Sequence, residues 1–412
     1  MATWYFYLDA TGNADGTSEA NAYDGTSTVT LPDGSSAVCR INNIVGVMPP
    51  GDILYVKKSD DEITWHGSVT TGVNANDGPT AFSQGYGPVR VIGYGSTVTD
   101  GIRPTISMGG TTWRFYRRCG LIANFNFHGT YTGAGLIIVD EGALISNCRI
   151  HNTNSGSAAP ALSLYSQGNA DRCEIIADYS IADPSSSYTS SVVYFYPSVN
   201  STITNCYIEG RNGANGIWVR RRSGSMIIAN NIINVNLDVD GAGHSNASGI
   251  RVESYGYLLA GTIINNIIHN AENGIYMDRT SSDDRSAGSI IGNIISSCAK
   301  AIDGDDHYNA KINALDTAID DPVTSANNIF YANTANSFLN SERNPLYLTS
   351  DPFVAAASKD FTITGSTVLT SFGYASNFSG QTGASGDTTT QNALVPLKPT
   401  AAVTLPTIVT TF

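Results

Sequence analysis

The hydrophobic positions of this chain fall into short runs of three to five residues separated by polar bends, and one phrase keeps returning. It consists of a small or β-branched residue or two, a polar pair, then aliphatics. The copies are Ala123-Asn124-Phe125-Asn126-Phe127, Ser146-Asn147-Cys148-Arg149-Ile150, Asp171-Arg172-Cys173-Glu174-Ile175 and Thr204-Asn205-Cys206-Tyr207-Ile208. Four more follow: Ala229-Asn230-Asn231-Ile232-Ile233, Asn265-Asn266-Ile267-Ile268, Gly292-Asn293-Ile294-Ile295 and Ala326-Asn327-Asn328-Ile329-Phe330. With positions 124, 147, 172, 205, 230, 265, 292 and 327 as one column, the steps are 23, 25, 33, 25, 35, 27 and 35 residues. The base period is near 25, the length of one triangular coil of a parallel β-helix. The longer steps are a coil plus a surface loop of about eight to ten residues. The fold predicted is all-β: a single-stranded right-handed parallel β-helix.

Stacked coils place like residues one above another, and Asn at a bend then hydrogen-bonds along the axis. Asn231, Asn266, Asn293 and Asn328 form that file, and Phe125, Cys148, Cys173 and Cys206 occupy it in earlier coils. Three of the six cysteines therefore read as small buried hydrophobes. A second column begins with a small residue: Gly216-Ile217-Trp218-Val219, Gly249-Ile250-Arg251-Val252, Gly274-Ile275-Tyr276-Met277 and Ala301-Ile302-Asp303-Gly304. Strand alternation turns Ile217, Val219, Ile250, Val252, Ile275 and Met277 inward. Trp218, Arg251, Tyr276 and Asp303 then point outward on one face, about 4.8 Å apart.

A β-helix needs caps at its two open ends. Residues 1–48 read as an N-terminal cap and loop, 49–370 as the β-helix with its most regular coils over 121–335, and 371–412 as a Ser/Thr/Gly/Pro-rich tail. That tail is expected to dock along its own coil or against a neighbouring copy.

Composition changes this picture little. Forty-one glycines and 14% charged residues suit a turn-rich β-protein. A net charge of −13 argues against a nucleic-acid partner, the run Arg220-Arg221-Arg222 being too short to reverse it. No apolar stretch approaches the roughly 20 residues of a membrane span, and the start lacks the layout of a secretory signal. The cysteines show no metal-ligand spacing. The histidines at 66, 128, 151, 244, 269 and 307 form no cluster and read as single surface residues. Asp303-Gly304-Asp305-Asp306-His307 and Asp283-Asp284 lack the ligand spacing of a calcium loop and read as polar loops. No metal or other cofactor is expected.

The chain resembles the β-helical virion proteins of tailed bacteriophages, the group of tailspikes and tailspike-like head decoration proteins. The resemblance lies in Trp4-Tyr5-Phe6-Tyr7-Leu8-Asp9-Ala10-Thr11-Gly12, Gly51-Asp52-Ile53-Leu54-Tyr55-Val56-Lys57, Val91-Ile92-Gly93-Tyr94 and Arg103-Pro104-Thr105-Ile106. The Asn-Asn-Ile coils, Asn344-Pro345-Leu346 and Lys359-Asp360-Phe361-Thr362-Ile363 extend it. These phrases are also similar to those of secreted β-helix proteins related to carbohydrate lyases. The resemblance implies a homotrimer on the virion surface, made in the host cytoplasm, with other virion proteins such as the major capsid protein as partners.

Three functions follow as expectations. The first is a structural decoration or spike protein without enzymatic activity. The second is a depolymerase, a glycoside hydrolase or polysaccharide lyase, acting on host surface polysaccharide. One step beyond the second column stand Arg220, Glu253, Asp278 and Asp305, so Glu253 and Asp278 are stacked neighbours, the arrangement that glycoside cleavage by paired carboxylates requires. Trp218 and Tyr276 would be the sugar platforms. The third is a non-enzymatic adhesin binding glycan through Trp218, Arg251 and Tyr276. Against both glycan readings, Glu253 and Asp278 alternating with Arg220, Arg221, Arg251 and Arg279 make an ordinary charge stripe, and the aromatics suit a subunit interface.

Overall fold

The computed structural model describes residues 2–30, 36–38, 40–41, 44–45, 48–49, 51–65, 69–71, 89–98, 100–115, 119–154, 159–178, 190–197, 201–211, 214–221, 224–236, 247–254, 258–279, 285–304, 323–337 and 345–363. Three long parallel sheets run the length of the molecule, two of 11 strands and one of 10. The chain visits them in rotation. Gly224–Ala229 lies in the first sheet, Ile232–Asn236 in the second and Ser248–Ser254 in the third, and Leu258–Ile264 then returns to the first, paired in parallel with Gly224–Ala229. This is a parallel β-helix, and its inward file of Ile217, Val219, Ile250, Val252 and Ile275 is fully or almost fully buried.

The recurring bend has a backbone cause. Asn124, Asn147, Arg172, Asn205, Asn230, Asn265, Gly292 and Asn327 all have φ between 51° and 65°, the left-handed region. Side chains other than Gly, Asn and Asp visit it at a cost, which is why the column is Asn in six coils of eight. The next residue turns inward and carries the ladder. Asn231 donates from its backbone N–H and its Nδ2 to Oδ1 of Asn266, at 3.0 and 2.9 Å. Asn266 does the same to Asn293, and Asn293 to Asn328. All four are fully buried. Each Nδ2 also donates to a backbone carbonyl, so the amides stay satisfied away from water. Cys206 joins the foot of the ladder, its N–H donating to Asn231 Oδ1 at 2.9 Å. Cys148, Cys173, Cys206 and Cys298 are free and buried.

Glycine in the second column answers to space. A Cβ on Gly216, Gly249 or Gly274 would lie 2.3–2.5 Å from the Cγ2 of Ile233, Ile268 or Ile295 across the coil. These corners admit no side chain.

Thr3–Phe6 pairs in parallel with Ile53–Lys57, so the first strand of the helix lies inside the segment expected to be a cap. It is seated by Asp52, 2% exposed, which accepts hydrogen bonds from Ala2 N and, at 2.9 Å, from Trp4 Nε1. At the other end Leu346–Leu348 is the last coil strand among the described residues. Phe353–Ala355, a 3-10 turn Ala356–Ser358 and Asp360–Ile363 then form an antiparallel hairpin that doubles back over the outside of the second sheet. Phe353, Ala356, Phe361 and Ile363 cover Tyr207, Ile232, Ile267, Ile294 and Ile329. This explains the doubled isoleucines of the repeat: the second points into the coil, the first outward under the hairpin. The tail expected at 371–412 lies outside the described residues.

Candidate functional site

The third sheet carries the residues singled out above. Leu162–Ser166, Ser191–Pro197, Asn215–Arg221, Ser248–Ser254, Asn273–Arg279 and Lys300–Gly304 lie side by side in it. Inward Phe195, Val219, Val252 and Met277 separate two outward files. One runs Ser163, Tyr194, Trp218, Arg251, Tyr276, Asp303. The other runs Tyr165, Tyr196, Arg220, Glu253, Asp278. Glu253 and Asp278 are thus direct neighbours on adjacent coils. Asp305 and the side chains of Arg221 and Arg279 lie outside the described residues.

The aromatic platforms are less open than expected. Trp218 points away from the coil, yet it is only 3% exposed. Arg251 covers it, the guanidinium carbon lying 4.5 Å from the Trp218 ring centroid and 5.3 Å from that of Tyr276. Such cation–π contacts strengthen as water is excluded. Arg251 also pairs with Asp278 Oδ2, while its Nε is buried with no hydrogen-bond partner. Tyr276 keeps partial exposure.

Glu253 is held from one side. Its Oε2 accepts from Trp218 Nε1 at 2.9 Å and lies 3.3 Å from Arg220 Nε. Burial pushes its carboxyl above the usual carboxylate range; Arg220 and the Trp218 hydrogen bond oppose this, and the neighbouring Asp278 adds to it. Among the described residues, neither Glu253 Oε1 nor Asp278 Oδ1 makes a hydrogen bond. Each carboxylate is therefore anchored through one oxygen; Glu253 is only 6% exposed, and Asp278 is partly exposed.

Towards the N-terminal coils the same two files become aromatic. Tyr165, Tyr194 and Tyr196 form a cluster with ring centroids 5.7–6.1 Å apart. Arg114 lies 5.7 Å from the Tyr165 ring and pairs with Asp140 at 2.9 Å. The sequence reading missed these tyrosines. Their signal was the alternation Tyr194-Phe195-Tyr196, in a coil where no small residue marks the start of the column.

Elsewhere the expected polar loops and histidines hold less chemistry. Asp303 pairs with Lys300 at 2.7 Å; Asp283, Asp284, Asp306 and His307 lie outside the described residues. Among the described residues no group of three or more His, Cys, Asp or Glu side chains converges to hold a metal ion. His66 and His244 also lie outside the described residues, and the three described histidines each have a partner. His128 meets Glu62 at 3.0 Å, His151 meets Asp178 at 2.6 Å, and His269 is wedged against Phe353 and Phe361 with its Nδ1 2.9 Å from Ser296.

The chain is thus a parallel β-helix protein with a polar, aromatic outer face. No protein-family model and no curated protein matches it. Among solved structures, the pectate lyase Pel9A superposes with a TM-score of 0.55 at 10% identity, over 87% of this chain and 84% of its own. A GH136 lacto-N-biosidase from Eubacterium ramulus gives 0.46 at 10% identity, over 84% and 68%. An alginate lyase from Paenibacillus sp. str. FPU-7 gives 0.43 at 12% identity, over 74% and 96%. The likeness to the pectate lyase is one of fold. The virion part of the sequence resemblance has no counterpart among these three.

Proposed function

We propose that this chain is a polysaccharide depolymerase of the tailspike-like kind, with the outer face of the third sheet as its glycan groove. The observation that carries the reading is the pair Glu253 and Asp278 on adjacent coils, each tethered through one oxygen and, among the described residues, with no hydrogen bond to the other. Adjacent strands stand about 4.8 Å apart, close to the roughly 5–5.5 Å carboxyl separation of retaining glycoside hydrolases. Glu253, whose carboxyl burial shifts upward, is the general acid for the glycosidic oxygen. Asp278, aligned by Arg251, is the carboxylate that meets the sugar carbon. The fold by itself would not justify this, since one fold hosts many chemistries.

The test is reducing-end release from purified bacterial capsular polysaccharides and O-antigens by the intact protein, Glu253→Gln and Asp278→Asn. Loss of about a thousandfold in either variant, with unchanged thermal unfolding, is the expected result. Equal release by all three proteins would remove both residues from the mechanism.

A second reading, the structural homotrimer of a phage particle, is favoured by a different observation. Arg220 and Arg251 are already matched to Glu253 and Asp278, and Trp218 is closed off, so the face is charge-satisfied without a ligand. Light scattering separates the two: a native mass three times 43.5 kDa together with no glycan release would favour the structural protein.

A further inference from the structure

We infer that Tyr165 and Tyr196 are stacking subsites for uncharged sugar residues of a polymer lying along the coil axis, so that cleavage at Glu253 and Asp278 falls inside the chain and depends on its length. The inference rests on the depolymerase reading and deepens it.

Tyr196 and Tyr165 stand in the same outward file as Glu253, two and three coils towards the N-terminus. At about 4.8 Å per coil they lie about 10 and about 14 Å from it, and each step is comparable to one pyranose ring along a chain. Both rings are partly exposed, whereas Trp218 and Tyr194 are nearly closed off. They are also braced. Tyr194 meets Tyr165 edge-on at 5.7 Å, and Arg114 stands 5.7 Å from the Tyr165 ring. A ring that is already positioned loses little freedom when a ligand stacks on it.

Charge marks off the same stretch. The outward residues of these two strands are Ser163 and Tyr165, then Tyr194 and Tyr196, with no Asp, Glu, Lys or Arg among them. Asp140 alongside is neutralised by Arg114. The coils from Trp218 onward instead carry Arg220, Arg251, Glu253 and Asp278. A glycan laid on both zones therefore meets neutral aromatic surface on one side of the reacting bond and a charged, hydrogen-bonding surface at it.

Binding and turnover must be read separately. In a Glu253→Gln/Asp278→Asn background, calorimetric binding of each capsular polysaccharide and O-antigen is measured with and without Tyr165→Ala/Tyr196→Ala, and with Tyr165→Phe/Tyr196→Phe. The alanine pair should weaken binding at least tenfold and the phenylalanine pair less than threefold, since stacking needs the ring. With the carboxylates intact, the alanine pair should raise KM for the polymer more than KM for its shortest cleaved fragment. Undiminished binding by the alanine pair overturns the subsites while leaving the carboxylate reading intact. If the carboxylate-intact protein cleaves none of the polymers, the depolymerase reading fails and takes this inference with it.

Discussion

Lys359 Nζ donates to Glu209 Oε1 at 2.6 Å, joining residues 150 positions apart and fastening the C-terminal hairpin to the outside of the coil. Glu209 is 2% exposed and also accepts from Tyr207 Oη at 2.8 Å. Lys359→Met would remove this ion pair from the buried carboxylate at a cost of about 2 kcal/mol. Phe361→Ala would open a cavity in the same cluster and cost about 3–5 kcal/mol. Both should show as early proteolysis after residue 345 before the coils melt. A hairpin equally resistant in both variants would mean that its docking depends on neither contact.

The hairpin also carries a pH dependence. Burial between Phe353 and Phe361 pushes the His269 imidazole down to about 4, so the folded state keeps it neutral where the unfolded chain would bind a proton. Stability from this group is complete above about pH 6.5 and is lost as pH falls towards 4, a change on the order of 3 kcal/mol. Thermal unfolding of the intact protein and of His269→Gln between pH 7 and 4 checks this. The variant should show a flatter profile, and parallel profiles would count against the assignment.

Arg172 is the residue least suited to its place in the bend column. Its φ of 54° is one that Asn or Gly adopts more readily, and its pairing with Asp171 Oδ2 is half-exposed and worth little. Arg172→Asn should therefore stabilise the protein by about 1 kcal/mol. The ladder behaves oppositely. Asn266→Ala removes both bonds that Asn231 donates to its Oδ1 and the Nδ2 bond to Ile228 O, leaving the buried Asn231 N–H without its acceptor, at a cost of about 3 kcal/mol. Urea midpoints measured side by side give both signs in one experiment.

This column shows what the sequence could and could not disclose. Its period was legible because the left-handed bend admits few residue types, and the stacking of Glu253 on Asp278 followed from one step beyond the second column, which starts at Gly216, Gly249 and Gly274. The docked hairpin was hidden. Ile232, Ile267 and Ile294 read as ordinary strand residues, and nothing local in Phe353 or Phe361 says that they fold back over five coils. The burial of Trp218 was equally out of reach, because it comes from Arg251 in the next coil, 33 residues away. Alternation gives the direction of a side chain, not what covers it.

Trp218 supplies the last prediction. Its Nε1 hydrogen bond to Glu253 favours the ionised carboxylate and so works against the rise caused by burial. Trp218→Phe removes that donor while keeping a ring beneath Arg251, so the Glu253 carboxyl should rise further. A general acid must be protonated to act, and a higher pKa keeps it protonated to higher pH. The basic limb of the kcat profile on a cleaved polysaccharide should therefore move upward in Trp218→Phe, and Arg220→Gln should move it the same way by removing the opposing charge. An unmoved limb in both variants would show that the group titrating in turnover is not Glu253. A limb moved downward would mean that the titrating group gains, not loses, from the indole and guanidinium beside it.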